Sequence, residues 1–160
     1  MKDIIKQHIV TAVAVIQRDD GRILLLKRSA HEKVYPNVFT FPGGKVENND
    51  TISETLVKEV QEECGLELNP GFILIKEKSI GRPDGKTSKS LSFLCTVKNH
   101  DDIVLEEASF SEYRWVNRQE LQDLEHVGID AEFAKVEEVK GSGVAREPFY
   151  VDTDKVDFRL

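Results

Sequence analysis

The chain has 160 residues, with 22 Lys plus Arg against 29 Asp plus Glu and 39% apolar content. A chain of this size buries roughly 68–70% of its surface on folding, which suits one globular domain spanning 1–160 without disulfides or structural metals. The net charge of −7 argues against an electrostatic grip on a nucleic-acid duplex or an anionic membrane, so an anionic ligand needs a local cation.

No apolar run approaches the roughly 20 residues that span a bilayer. The opening segment MKDIIKQHIV lacks a secretory apolar region and cleavage site. A cytoplasmic protein is expected, with Cys64 and Cys95 as reduced, partly buried thiols.

In chain order, Ile9 to Ile16 and Ile23 to Leu26 are β-branched and apolar runs joined by the turn former Asp19-Asp20-Gly21, which predicts a hairpin. A polar loop from Arg28 to Asn37 leads to a short stretch, Val38 to Phe41, after which Pro42-Gly43-Gly44 ends regular structure and a loop follows. Thr51-Ile52-Ser53-Glu54 has the spacing of a capping box, and Ile52, Leu56, Val60 and Cys64 recur every four residues up to Gly65. This predicts a helix.

Phe72 to Lys78 and Leu91 to Val97 form a second predicted hairpin around Gly81-Arg82-Pro83-Asp84-Gly85. Tyr113 to Val116 adds a short strand, and Asn117 to Glu120 carries a second cap signal. Ala131 to Lys140 reads as a more loosely patterned helix broken at Gly141-Ser142-Gly143, and Phe149 to Val151 as a last strand. Strands and helices mix without strict alternation, which fits an α+β fold or mixed-sheet sandwich.

The chemistry concentrates on the first helix. Glu59, Glu62 and Glu63 stand at i, i+3 and i+4, within an arc of about 100°, while Val60 and Cys64 turn toward the core. Three like charges at that spacing are mildly unfavourable, and a cation would relieve them. Hard oxygen donors suit Mg²⁺ or Mn²⁺, which keep waters and take phosphate oxygens in their remaining positions. A merely solvated acidic face is the competing reading of these three residues alone.

The wider segment GKVENNDTISETLVKEVQEECGL resembles the Nudix box of the Nudix hydrolases, G-x5-E-x7-R-E-U-x-E-E-x-G-U, where U is aliphatic. Gly44, Glu59, Val60, Glu62, Glu63, Gly65 and Leu66 match in register. Asp50 replaces the first Glu and Lys58 replaces the Arg. In the family those two positions form an orienting ion pair, and an ammonium offers a point charge where a guanidinium offers a planar fork.

The resemblance runs from about Ile9 to Leu121, including the lead-in Phe41 to Glu47. It implies an α/β/α sandwich with a mixed sheet and a metal-dependent pyrophosphohydrolase acting on a small nucleotide. It also implies Mg²⁺ or Mn²⁺ held by Glu59, Glu62, Glu63, the carbonyl of Gly43 and one further carboxylate, for which Glu107 is preferred over Glu112. Glu59 is the first choice of base, with Glu62 and Glu63 chiefly as ligands. Arg28, Gly44 and Lys45 are the implied substrate contacts.

A compact chain favours a free (deoxy)nucleoside triphosphate. Pro83, seventeen positions beyond Leu66, lies near the family's ADP-ribose marker but displaced by two, so an ADP-ribose or nucleotide-sugar pyrophosphatase is the alternative. A non-catalytic nucleotide-binding module is a third reading, suggested by Asp50 and Lys58. The family often forms homodimers, and nothing in the sequence selects an interface.

Overall fold

The computed structural model describes residues 7–141. The predicted strand at Phe149 to Val151 lies outside them. Seven strands and three helices follow in the order β1 (His8–Ile16), β2 (Ile23–Arg28), β3 (Phe39–Thr40), β4 (Gly43–Lys45), α1 (Ile52–Cys64), β5 (Ile73–Gly81), β6 (Thr87–Cys95), β7 (Phe110–Val116), α2 (Arg118–Leu121) and α3 (Asp130–Gly141). One sheet has the order β4-β1-β6-β5 and is mixed, because β1 runs parallel to β6 and antiparallel to β4. The other is antiparallel, in the order β3-β2-β7.

The period of two along the strands divides the interior. In β1 and β2, Ala12, Ala14, Ile16, Leu24 and Leu26 face a core completed by Leu56, Val60 and Cys64 of α1. The intervening Val15, Ile23 and Leu25 face a second core with Phe133 and Val136 of α3. Strands buried on both faces read as continuous apolar runs, and helices cover both sides. The result is the expected α/β/α sandwich.

Four sequence expectations need correction. The turn at Asp19-Asp20-Gly21 forms, with Arg18 N–H donating to Arg22 O at 3.0 Å. Its strands do not pair as a hairpin beyond a single bridge, Gln17 with Ile23. Both edges of β1 are already taken, by β4 and β6, so β2 leaves for the other sheet. Next, Gly43-Gly44 continue as β4 rather than ending structure, with Gly44 opposite Ala12 and Gly43 opposite Val13. This approach requires glycine: a Cβ on Gly43 would lie 2.4 Å from the carbonyl oxygen of Ala12.

The third correction concerns the outer helix, α3, which extends through Gly141 rather than ending before it. Its loose apolar pattern arises because it buries a charge. Glu132 is 2% exposed and meets Lys78 Nζ of β5 at 2.5 Å. Fourth, the acidic side of α1 is not uniformly turned to solvent, as described below.

Other elements follow their local signals. Thr51 caps α1, its side chain accepting from Glu54 N–H at 3.1 Å, and Gly65 closes it in left-handed conformation at φ 69°. Asn117 and Glu120 cap α2 reciprocally. The hairpin β5–β6 turns through Arg82 to Lys86. No helix among the described residues is long and apolar enough to cross a membrane.

Candidate active site

A cavity of about 480 Å³ opens where the two sheets diverge. Thr11, Val13 and Gly43 line it from one sheet, and Arg28, Thr40 and Phe110 from the other. Glu59, Glu62 and Glu63 enter from α1, with Glu106 and Ser109 on the β6–β7 connection.

The three helix carboxylates occupy different environments. Glu62 is exposed, Glu59 half-buried, and Glu63 only 6% exposed. Glu63 is roofed by the β6–β7 connection, whose Glu106 N–H donates to its backbone oxygen at 2.9 Å, and its Oε1 accepts from Gly43 N–H at 3.2 Å. Burial pushes the Glu63 carboxyl up to about 9. The Gly43 hydrogen bond opposes this, and the charges of Glu59 and Glu106 reinforce it. Burial also raises Glu59, followed by the charge of Glu62.

Among the described residues no Lys, Arg or His lies within ion-pair distance of Glu59, Glu62, Glu63 or Glu106. Adjacent carboxylates drawn from water without a cation are costly to ionise. A divalent ion fits this donor set, which is hard oxygen throughout. The backbone makes room for the Glu59 side chain: a Cβ on Gly44 would come within 2.5 Å of its carboxyl carbon. No three such side chains among the described residues are already converged to hold an ion alone. Water or phosphate oxygens would share the coordination of such an ion, as Mg²⁺ commonly requires.

The structure sorts the remaining candidates. Arg28 lies on the cavity wall. Gly44 abuts Glu59 rather than the cavity, and Lys45 is exposed outside it. Glu106, not Glu107, lines the cavity, because its N–H is tied to the last turn of α1. Glu112 is held elsewhere by Arg114, at 2.6 Å, and Lys27. Asp50 and Lys58 do pair, at 3.8 Å and largely in solvent, so the link is loose.

Sequence reasoning missed Glu106, Glu32, Thr11, Thr40, Ser109 and Phe110 as cavity residues. The sequence pointed to one more carboxylate near Glu107, but nothing in it distinguished Glu107 from its neighbour Glu106. Thr11 and Thr40 carry no sequence signal, since their position depends on how the sheets meet.

Comparison with known proteins agrees with this architecture. The model of the NUDIX domain matches residues 7–136. A nucleoside triphosphatase NudI of Escherichia coli is 31% identical over 140 residues, covering 82% of this chain and 96% of the relative. One from Salmonella agona is 32% identical over 120 residues, covering 69% and 84%. A MutT NUDIX hydrolase from Burkholderia pseudomallei superposes with a TM-score of 0.66 at 26% identity, covering 84% of this chain and 99% of that one. The MutT protein of Methanosarcina mazei shares the fold, with a TM-score of 0.69 at 24% identity and 88% and 98% coverage.

Together with the NUDIX match and these nucleoside triphosphatase relatives, the fold places the chain among enzymes of phosphoric anhydride hydrolysis. The chain belongs to the NUDIX family, whose members generally depend on a divalent metal.

Proposed function

We propose that the protein is a Mg²⁺-dependent pyrophosphohydrolase of (deoxy)nucleoside triphosphates. The observation that carries this reading is that Glu59, Glu62, Glu63 and Glu106 all line one cavity that also holds Arg28. The relatives named nucleoside triphosphatases support the substrate class.

Phosphoryl transfer asks the protein chiefly for position and charge. Glu59, Glu62, Glu63 and the Gly43 carbonyl would hold the metal, and Glu106 would supply the added carboxylate. When bound, the metal neutralises phosphate charge and lowers the pKa of coordinated water. Glu59, half-buried and raised by its surroundings, takes the proton of the attacking water. The water oxygen bonds to phosphorus as the bridging P–O bond breaks, and that oxygen leaves with pyrophosphate. Arg28 steadies the phosphate oxygens from the opposite wall, and Gly43 N–H keeps Glu63 in place.

The test is purified protein, stripped of metal and resupplied with Mg²⁺ or Mn²⁺, against nucleoside triphosphates, ADP-ribose and dinucleotides. Monophosphate and pyrophosphate should appear from at least one triphosphate, and Glu62→Gln should remove about 99% of that rate. Turnover that survives exhaustive chelation, or confined to ADP-ribose or dinucleotides, would overturn the proposal.

A further inference from the structure

Arg28 is the lone cation among the residues lining the cavity, which it shares with Glu59, Glu62, Glu63 and Glu106. A long, flexible guanidinium so placed is drawn toward them, where it would neutralise the groups that the metal needs. It does not reach them. Its Nε donates to the carbonyl oxygen of Val34 at 2.9 Å, and its Nη2 to Glu32 Oε2 at 3.3 Å. Nε and Nη2 form one edge of the guanidinium, so these bonds fill that edge. Nη1 makes no hydrogen bond among the described residues, which leaves the other edge to offer two parallel donors.

Two backbone features build this holder. The pairing of β2 with β7 slips at Lys27/Arg28, with Lys27 opposite Glu112 and Arg28 opposite Phe110. A slip of this kind re-aims the side chain that follows it. The connection after Arg28 also keeps two non-glycine residues in left-handed backbone, Tyr35 at φ 50° and Asn37 at φ 60°. Such strain persists only where surrounding structure enforces it. Here it folds the chain back so that Asn37 N–H donates to Arg28 O at 3.0 Å and Val34 presents its carbonyl to the side chain.

We propose that Glu32 is a positioning residue: with the Val34 carbonyl it pins Arg28 to the wall opposite the helix carboxylates, aiming its free edge at substrate phosphate and leaving the carboxylates for the metal. The inference rests on the reading above that Arg28 contacts substrate. A surface i,i+4 ion pair with only a structural role would contribute little and leave catalysis unchanged.

Steady-state kinetics on a hydrolysed nucleoside triphosphate, with Mn²⁺ binding measured by calorimetry, test this. Glu32→Ala should raise KM about tenfold with kcat changed less than about threefold, the signature of a lost binding contact to a charged group. It should also weaken Mn²⁺ binding, because Arg28 is released toward the carboxylates. Glu32→Gln, nearly isosteric and still an acceptor, should recover part of both and serves as the second variant if alanine unsettles the loop. Arg28→Ala combined with Glu32→Ala should have the KM of Arg28→Ala alone and regain the parent's Mn²⁺ affinity. If Arg28→Ala raises KM while both Glu32 variants behave as the parent, the positioning role is overturned and the substrate contact stands. If Arg28→Ala leaves KM unchanged, the contact itself is overturned, and the role of Glu32 with it.

Discussion

Alanine at each of the two adjacent glycines, Gly43 and Gly44, should separate folding from catalysis. A Cβ on Gly43 would stand 2.4 Å from Ala12 O and 2.9 Å from Val13 Cα, both backbone atoms of the strand beside it. Relief requires β4 to retreat by about 1 Å, and overpacking of this kind costs about 1–3 kcal/mol. For a chain of this length that lowers the unfolding midpoint by roughly 3–10 °C. For a Cβ on Gly44 the three nearest atoms all belong to the side chain of Glu59, with Cδ at 2.5 Å and Oε1 at 2.7 Å. A side-chain end swings aside cheaply, and Gly44 is not in left-handed backbone. Gly44→Ala should therefore melt within about 2 °C of the parent. Displacing Glu59 by about 1 Å should nonetheless lower kcat/KM about a hundredfold. The assay is differential scanning fluorimetry beside pyrophosphate release. A Gly44→Ala enzyme with kcat/KM within a few-fold of the parent, or one destabilised as much as Gly43→Ala, would refute the placement of Glu59.

Glu63 gives a pH signature. Its carboxyl is pushed from 4.5 up to about 9, so between those values the metal-free folded protein retains a proton that the unfolded chain has released. Its stabilising effect is fully present below 4.5 and is lost as pH rises through about 9. The metal-free unfolding midpoint should thus fall from pH 5 to pH 9, and Glu63→Gln should flatten that fall; superimposable profiles would contradict it. Divalent-metal binding should release protons near neutrality, seen as a calorimetric heat that varies with buffer ionisation enthalpy. Removing the loose pair by Asp50→Asn should cost less than about 1 kcal/mol in urea unfolding. Burial pushes the Cys64 thiol up to about 12 and raises Cys95 as well, so a thiol reagent should label either only on denaturation.

What the sequence disclosed follows from how local each signal is. The first helix was legible from cap to cap because Thr51, Gly65 and the fourfold apolar spacing act within a few residues of one another. The β5–β6 hairpin was legible for the same reason. Sheet membership is a long-range matter: nothing near Asp19-Asp20-Gly21 reveals that β1 is flanked on both edges by strands distant in sequence. The strand at Gly43 was hidden because residues that usually break structure here permit close backbone approach. At the site, spacing placed Glu59, Glu62 and Glu63 together but not the burial of Glu63, which comes from the chain returning over α1 at Glu106. That same backbone hydrogen bond puts Glu106 on the cavity in place of the expected Glu107 or Glu112.

The parting of β1 and β2 divides labour between two mechanical halves. The carboxylates ride on a helix packed mainly against β4 and β1, while the guanidinium rides on β2 of the other sheet. Their spacing is thus a property of the seam between sheets, set by Ala14, Leu24 and Leu26 deep in the interior. Substitutions at that buried joint should shift the two walls of the cavity relative to each other without changing any residue that lines it.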